Sequence, residues 1–171
     1  MSQATPSAGV LWDTMFASKL TPNRPAMLEA ALASSGTARQ PLLAAPVVSE
    51  VVFGLRRRGG EPAGEATSTW WERQVLAGRL RFVAPSAASL VLAARVRARQ
   101  PASPAKARRT EGRKDPERRL SWSRDIELAA IGATYGLPVA TENLRDFTAI
   151  AELMADVAPR LVLELRDSVF A

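Results

Sequence analysis

The chain has 171 residues, 47% of them hydrophobic, a length that one domain of ordinary size accounts for and that can bury a real core. It contains no cysteine and no histidine, which excludes disulfides, thiolate and imidazole metal sites, and Ser-His-Asp or Cys-His triads. At a net charge of +6 the chemistry left open belongs to carboxylates, hydroxyls, amides and cations, and carboxylate oxygens suit magnesium or manganese.

Residues 1–8 are small and polar with one proline, and are read as a flexible N-terminus ahead of a single domain over residues 9–171. They have neither the positive start nor the apolar centre of a signal peptide. No apolar stretch approaches the roughly 20 residues that span a membrane, so a cytoplasmic protein with no membrane partner is expected. Gly9 to Trp12 reads as a first buried strand with Asp13 and Thr14 just past its end. Met15 to Leu20 begin a helix, T-P-N-R-P breaks it, and Pro25 suits the first turn of the next. There Met27, Leu28, Ala31 and Leu32 form an apolar stripe that ends near Gly36.

Pro41 to Val48 is a second buried run, followed by Ser49, Glu50 and a helix that closes on Arg56, Arg57 and Arg58 before Gly59 and Gly60. Those arginines complement the helix dipole, which explains them better than RNA contact does. Glu61 to Ala77 fits another helix, in which the adjacent Trp70 and Trp71 point to different faces, one to the core and one to a protein interface. Leu80 to Ala84 is a short strand, and Pro85 to Ser89 open a helix running to about Arg99.

From Arg95 to Arg119 the chain carries ten basic residues against three acidic ones, a net of +7 in a protein of net +6. Pro101, Pro104, Pro116 and Gly112 mark a loop at about 100–120. Two readings stand side by side: attraction of a nucleic acid backbone, and a solvated loop in a chain where arginine outnumbers lysine twenty to three. No aromatic residue in the loop could stack on bases, which argues against sequence reading there.

The most informative stretch is R-D-I-E-L-A-A-I-G-A-T-Y-G-L-P-V-A-T-E-N-L-R-D-F, Arg124 to Phe147. Apolar residues cover its first half nearly all round, which marks an internal helix with Asp125 at its start. Gly136 suits the left-handed residue that ends it, Pro138 prevents continuation, and Leu137 to Ala140 read as a buried strand with Asp146 beyond. A helix of about 12 residues runs about 18 Å down a sheet, and the strand climbs back. Asp125 and Asp146 therefore belong at one carboxyl-terminal sheet edge, where open α/β sheets bind ligands. A short helix then runs through Ile150 and Leu153, and Arg160 to Leu165 fits a last edge strand.

Three strand ends and one helix start thus each supply an acid: Asp13, Glu50, Asp146 and Asp125. Singly, each could be a helix cap or a first-turn acid. Together, four close carboxylates would repel one another and disfavour the fold unless a cation were bound.

In V-L-W-D-T, S-E-V-V-F-G-L, D-I-E-L-A-A-I-G-A and T-E-N-L-R-D-F the sequence resembles the PIN-domain family, and within it the VapC-type toxins of toxin–antitoxin pairs. The resemblance implies a three-layer α/β/α fold with a central, mainly parallel sheet and an acidic site at its carboxyl-terminal edge. It implies a magnesium- or manganese-dependent endoribonuclease whose metal-binding acids are Asp13, Glu50, Asp125 and Asp146, with Thr14 and Asn143 in support. It also implies an RNA substrate, a cognate antitoxin and a homodimer. The chain departs from the family in having Met15 where asparagine is usual, Trp12 where an aliphatic residue is usual, and a longer, more basic connection before Asp125. The alternative is a PIN-like binding component that acts with an antitoxin on DNA and cleaves little. A receiver domain is disfavoured, since neither an acid pair after the first strand nor a lysine after the last is present.

Overall fold

The computed structural model describes residues 9–33, 40–103 and 115–169, with the side chains of residues 115–118 left aside. The N-terminal eight residues, the helix end near Gly36 and the middle of the basic segment, with Lys106, Arg108, Arg109, Arg113 and Lys114, lie outside them.

The apolar run before Asp13 forms β1 (Val10–Trp12), all three residues buried. One helical turn, α1 (Thr14–Ala17), and α2 (Pro25–Ala33) lead to β2 (Pro41–Ala44). The long helices α3 (Ala45–Gly59) and α4 (Glu61–Leu76) follow, separated by Gly60 at φ 76°, a conformation that glycine adopts without strain. Then come β3 (Arg81–Val83), α5 (Ala87–Arg99), α6 (Asp115–Tyr135), β4 (Val139–Ala140), α7 (Leu144–Val157) and β5 (Leu165–Arg166). The five strands form one sheet in the order β3-β2-β1-β4-β5, and every pairing is parallel. Parallel strands need crossover connections, and the helices that supply them flank the sheet and bury it. Trp12, Trp71 and Trp122 are wholly enclosed in a core that the sheet shares with these helices.

The strand order fixes where a ligand would sit. From β1 the chain steps outward to β2 and β3, then returns to the other side of β1 with β4 and β5. The topological switch point therefore lies between β1 and β4, and the crevice beyond their carboxyl ends is the expected binding place.

Several elements differ from the sequence expectation. Helix α6 begins at Asp115, ten residues earlier than expected, so Asp125 lies mid-helix and does not precede it. Pro116, a loop marker by its residue type, falls in the first turn of this helix, where its missing N–H costs nothing. The basic loop is correspondingly shorter at its C-terminal end. The run Pro41 to Val48 divides after Ala44, with Pro46 in the first turn of α3, so Glu50 is carried by the second helical turn. Helix α7 has 14 residues, and of the last run, Arg160 to Leu165, only Leu165 pairs, joined by Arg166 in a strand at the sheet edge.

The expectations for α6, its end and the core tryptophan hold. Ile126, Leu128, Ala129, Ala130, Ile131 and Ala133 of α6 are all buried, as an internal helix requires. Gly136 takes φ 64°, and the Leu137 N–H returns to the Gly132 carbonyl at 2.9 Å, closing the helix. Trp71 is the core tryptophan, its indole N–H donating to the Leu20 carbonyl at 2.8 Å, while Trp70 is half-buried against the core. Among the described residues no helix is long and apolar enough to cross a membrane.

Candidate active site

Asp13 stands where β1 ends, buried, with an extended backbone whose N–H joins the Ala140 carbonyl of β4 at 3.0 Å. Its Oδ1 accepts the Phe16 N–H at 3.1 Å and so caps α1. Its Oδ2 accepts the Thr141 hydroxyl at 2.6 Å. Thr141 is fully buried just past β4, its backbone N–H donates to the Arg166 carbonyl of β5 at 2.9 Å, and its Oγ1 accepts the Asn143 N–H at 2.9 Å. The Asp13–Thr141 contact thus bridges the two strand ends at the switch point. Burial pushes the Asp13 carboxyl above its ordinary range; the Thr141 hydroxyl and the Phe16 and Met15 N–H groups pull it down in part, and the charge of Glu142 adds to the rise.

Asp146 is buried in the first turn of α7. The Ser103 hydroxyl donates to its Oδ1 at 2.8 Å and the Asn143 side-chain amide to its Oδ2 at 3.1 Å. Asn143 thus donates to one acid, and Thr14 to another, its hydroxyl reaching Glu50 Oε2 at 2.9 Å. The other Glu50 oxygen lies 3.4 Å from Arg124 Nη1, across from α6. Asp125, half-buried, follows Arg124 on that helix.

The structure joins Asp13 to Thr141, Thr14 to Glu50, and Asn143 to Asp146, but it does not gather the four acids into one cluster. Among the described residues no group of three or more acids is placed to hold a metal ion. In kind the donors fit a hard divalent cation: carboxylate oxygens, with a buried Asp13 whose charge is disfavoured by desolvation and would be relieved by one. In placement, Glu50 is held toward Arg124 and Asp146 toward Ser103.

Three members of this constellation were not singled out from the sequence: Thr141, Ser103 and Arg124. Thr141 had a local signal, because a threonine two residues before a helix cap commonly accepts the N–H of that cap, as it does here. Ser103 and Arg124 had none, since their partners lie 43 residues or more away.

No protein-family model matches the chain, and no curated protein matches it. Solved structures do. VapBC2 from Rickettsia felis bound to a DNA fragment from its promoter aligns with a TM-score of 0.54 at 13% identity, covering 92% of this chain and 98% of that one. DNA-bound VapBC from Salmonella typhimurium aligns at 0.55 and 17% identity, covering 93% and 97%. FitAcB from Neisseria gonorrhoeae aligns at 0.52 and 21%, covering 92% and 96%. The chain has a PIN-like fold. At these identities the likeness concerns the fold, and the chemistry must be argued from the residues above.

Proposed function

We propose that this PIN-like chain is a metal-dependent endoribonuclease and the toxin of a toxin–antitoxin pair. The observation that carries the reading is the buried Asp13 carboxyl, braced by Thr141 at the switch point of a parallel sheet. Asp13, Glu50, Asp125 and Asp146 would hold one or two magnesium or manganese ions. Bound there, the ion would supply charge stabilisation to an RNA phosphodiester and a water of lowered pKa, so no histidine is needed as base.

The chain's own groups prepare that chemistry. Thr141 and the Phe16 N–H orient Asp13, Thr14 orients Glu50, and Ser103 with Asn143 fixes Asp146. Each hydroxyl or amide sets the direction of a carboxylate that water would otherwise leave free to turn. The similar VapBC and FitAcB structures support a cognate antitoxin as partner. A homodimer belongs to the same proposal.

A second reading, a binding component acting with an antitoxin on DNA and cleaving little, draws on two observations. Glu50 already has a cationic partner in Arg124, and two of the similar structures are bound to DNA. Cleavage of a mixed RNA substrate by purified protein, freed of any co-purifying partner, separates the readings. Cutting should require magnesium or manganese, stop with EDTA, and be abolished by Asp13→Asn and Asp125→Asn in variants that remain folded. Equal behaviour of wild type and both variants would sink the nuclease reading and put the binding reading first.

A further inference from the structure

The surroundings of Glu50 are not those of a waiting metal ligand. Its Oε2 takes the Thr14 hydroxyl at 2.9 Å and its Oε1 faces Arg124 Nη1 at 3.4 Å, so both oxygens are turned to partners from other elements. The two side chains are 29% and 24% exposed, which leaves their attraction less screened than that of a surface pair. Yet the nearest approach is 3.4 Å and no hydrogen bond joins the two side chains, unlike the two-pronged geometry of the strongest arginine–carboxylate pairs. Arg124 is held by charge and is not locked in place by geometry.

We propose that Arg124 stands in for a divalent cation at Glu50, so that cation entry and the release of Arg124 are a single exchange. This rests on the metal-dependent reading above. A guanidinium and a dication repel each other, so the two compete for the Glu50 carboxylate. Without a cation, Arg124 supplies the positive charge that lets an acid-lined edge fold. With one, Glu50 turns from Arg124 to the ion, and Thr14, bonded to the other oxygen, serves as the pivot.

The test is a Mn2+ titration of the purified full chain, freed of any partner, with free Mn2+ read by electron paramagnetic resonance. Arg124→Gln should tighten Mn2+ binding about fivefold, the upper scale of an ion pair that is partly open to solvent. Arg124→Lys, which keeps the charge, should stay within about twofold of wild type, and in a Glu50→Gln background Arg124→Gln should also change affinity less than about twofold. A general loss of positive charge would act in both backgrounds; the exchange acts only where Glu50 is ionised. Arg124→Gln should further melt lower than wild type in EDTA and gain more from added Mn2+. In the wild-type protein, the arginine Nε–H signal that disappears in Arg124→Lys should shift in step with Mg2+ saturation, a readout that does not depend on Arg124→Gln folding. Equal Mn2+ affinity of wild type and Arg124→Gln, or an unmoved arginine signal at saturating Mg2+, overturns the exchange and leaves the metal-dependent reading standing. No Mn2+ binding by any form overturns both.

Discussion

Replacing Thr141 with valine keeps the side-chain shape and removes one buried hydroxyl that serves two partners. Its O–H donates to Asp13 Oδ2 at 2.6 Å and its oxygen accepts the Asn143 N–H at 2.9 Å. At neutral pH the first is a hydrogen bond to a charged acceptor, worth about 2 kcal/mol, and the stranded Asn143 N–H adds about 1 kcal/mol. The expected loss is therefore about 3 kcal/mol, or roughly 6–12 °C in melting temperature for a chain of this length. The loss should depend on pH. The Thr141 hydroxyl lowers the Asp13 pKa, so valine lets it rise further. At a pH low enough to protonate Asp13, only a neutral hydrogen bond is forfeited and the loss should fall to about 1–2 kcal/mol. Thermal unfolding followed by circular dichroism at pH 7 and at acidic pH, with Thr141→Ser as the hydroxyl-keeping control, measures both. A loss below about 1 kcal/mol at pH 7, or an equal loss at both pH values, would refute the account of Thr141 as the brace of an ionised Asp13.

Two further substitutions test the same structure from other sides. Because burial raises the Asp13 pKa above its ordinary 3.8, the folded protein holds more protons than the unfolded chain between those two values. Stability from this group therefore falls as pH rises through that window, and the deficit persists at neutral pH. Asp13→Asn removes the charge but leaves one acceptor oxygen for the Phe16 and Thr141 donors; it should lose the proposed RNA cleavage, and its melting point relative to wild type should fall as the pH is lowered toward 4, whereas a pH-independent difference would contradict the desolvation argument. At Gly132 an added Cβ would lie 2.8 Å from Val139 Cγ2, 3.0 Å from the Leu137 carbonyl oxygen and 3.2 Å from Leu163 Cδ1. Gly132→Ala should cost about 1–2 kcal/mol in urea unfolding despite the better helix propensity of alanine, and a neutral result would show that α6 can move off β4.

What could be read along the chain was what local chemistry writes there. The unbroken apolar run before Asp13 makes a buried strand, and the all-round apolar surface from Ile126 to Ala133 makes an internal helix. A left-handed Gly136 ends that helix. Those features, with strands separated by helices, were enough for a parallel α/β sheet and for an acid at its carboxyl edge. Local chemistry was ambiguous where one residue type serves two purposes. Pro116 marks a loop or a first helical turn equally well, and its place in α6 moved Asp125 from the start of a helix to its middle.

The partners of the acids were decided by tertiary structure alone. Asp13 meets Thr141 across 128 positions because β1 and β4 are neighbours at the switch point, and Glu50 meets Arg124 because α3 packs against α6. Sequence patterning specifies which side chains avoid water and which turn the backbone can make, since both depend on the nearest few residues. Which hydroxyl or guanidinium reaches a given carboxylate depends on how separately specified elements stack, and no periodicity carries that information.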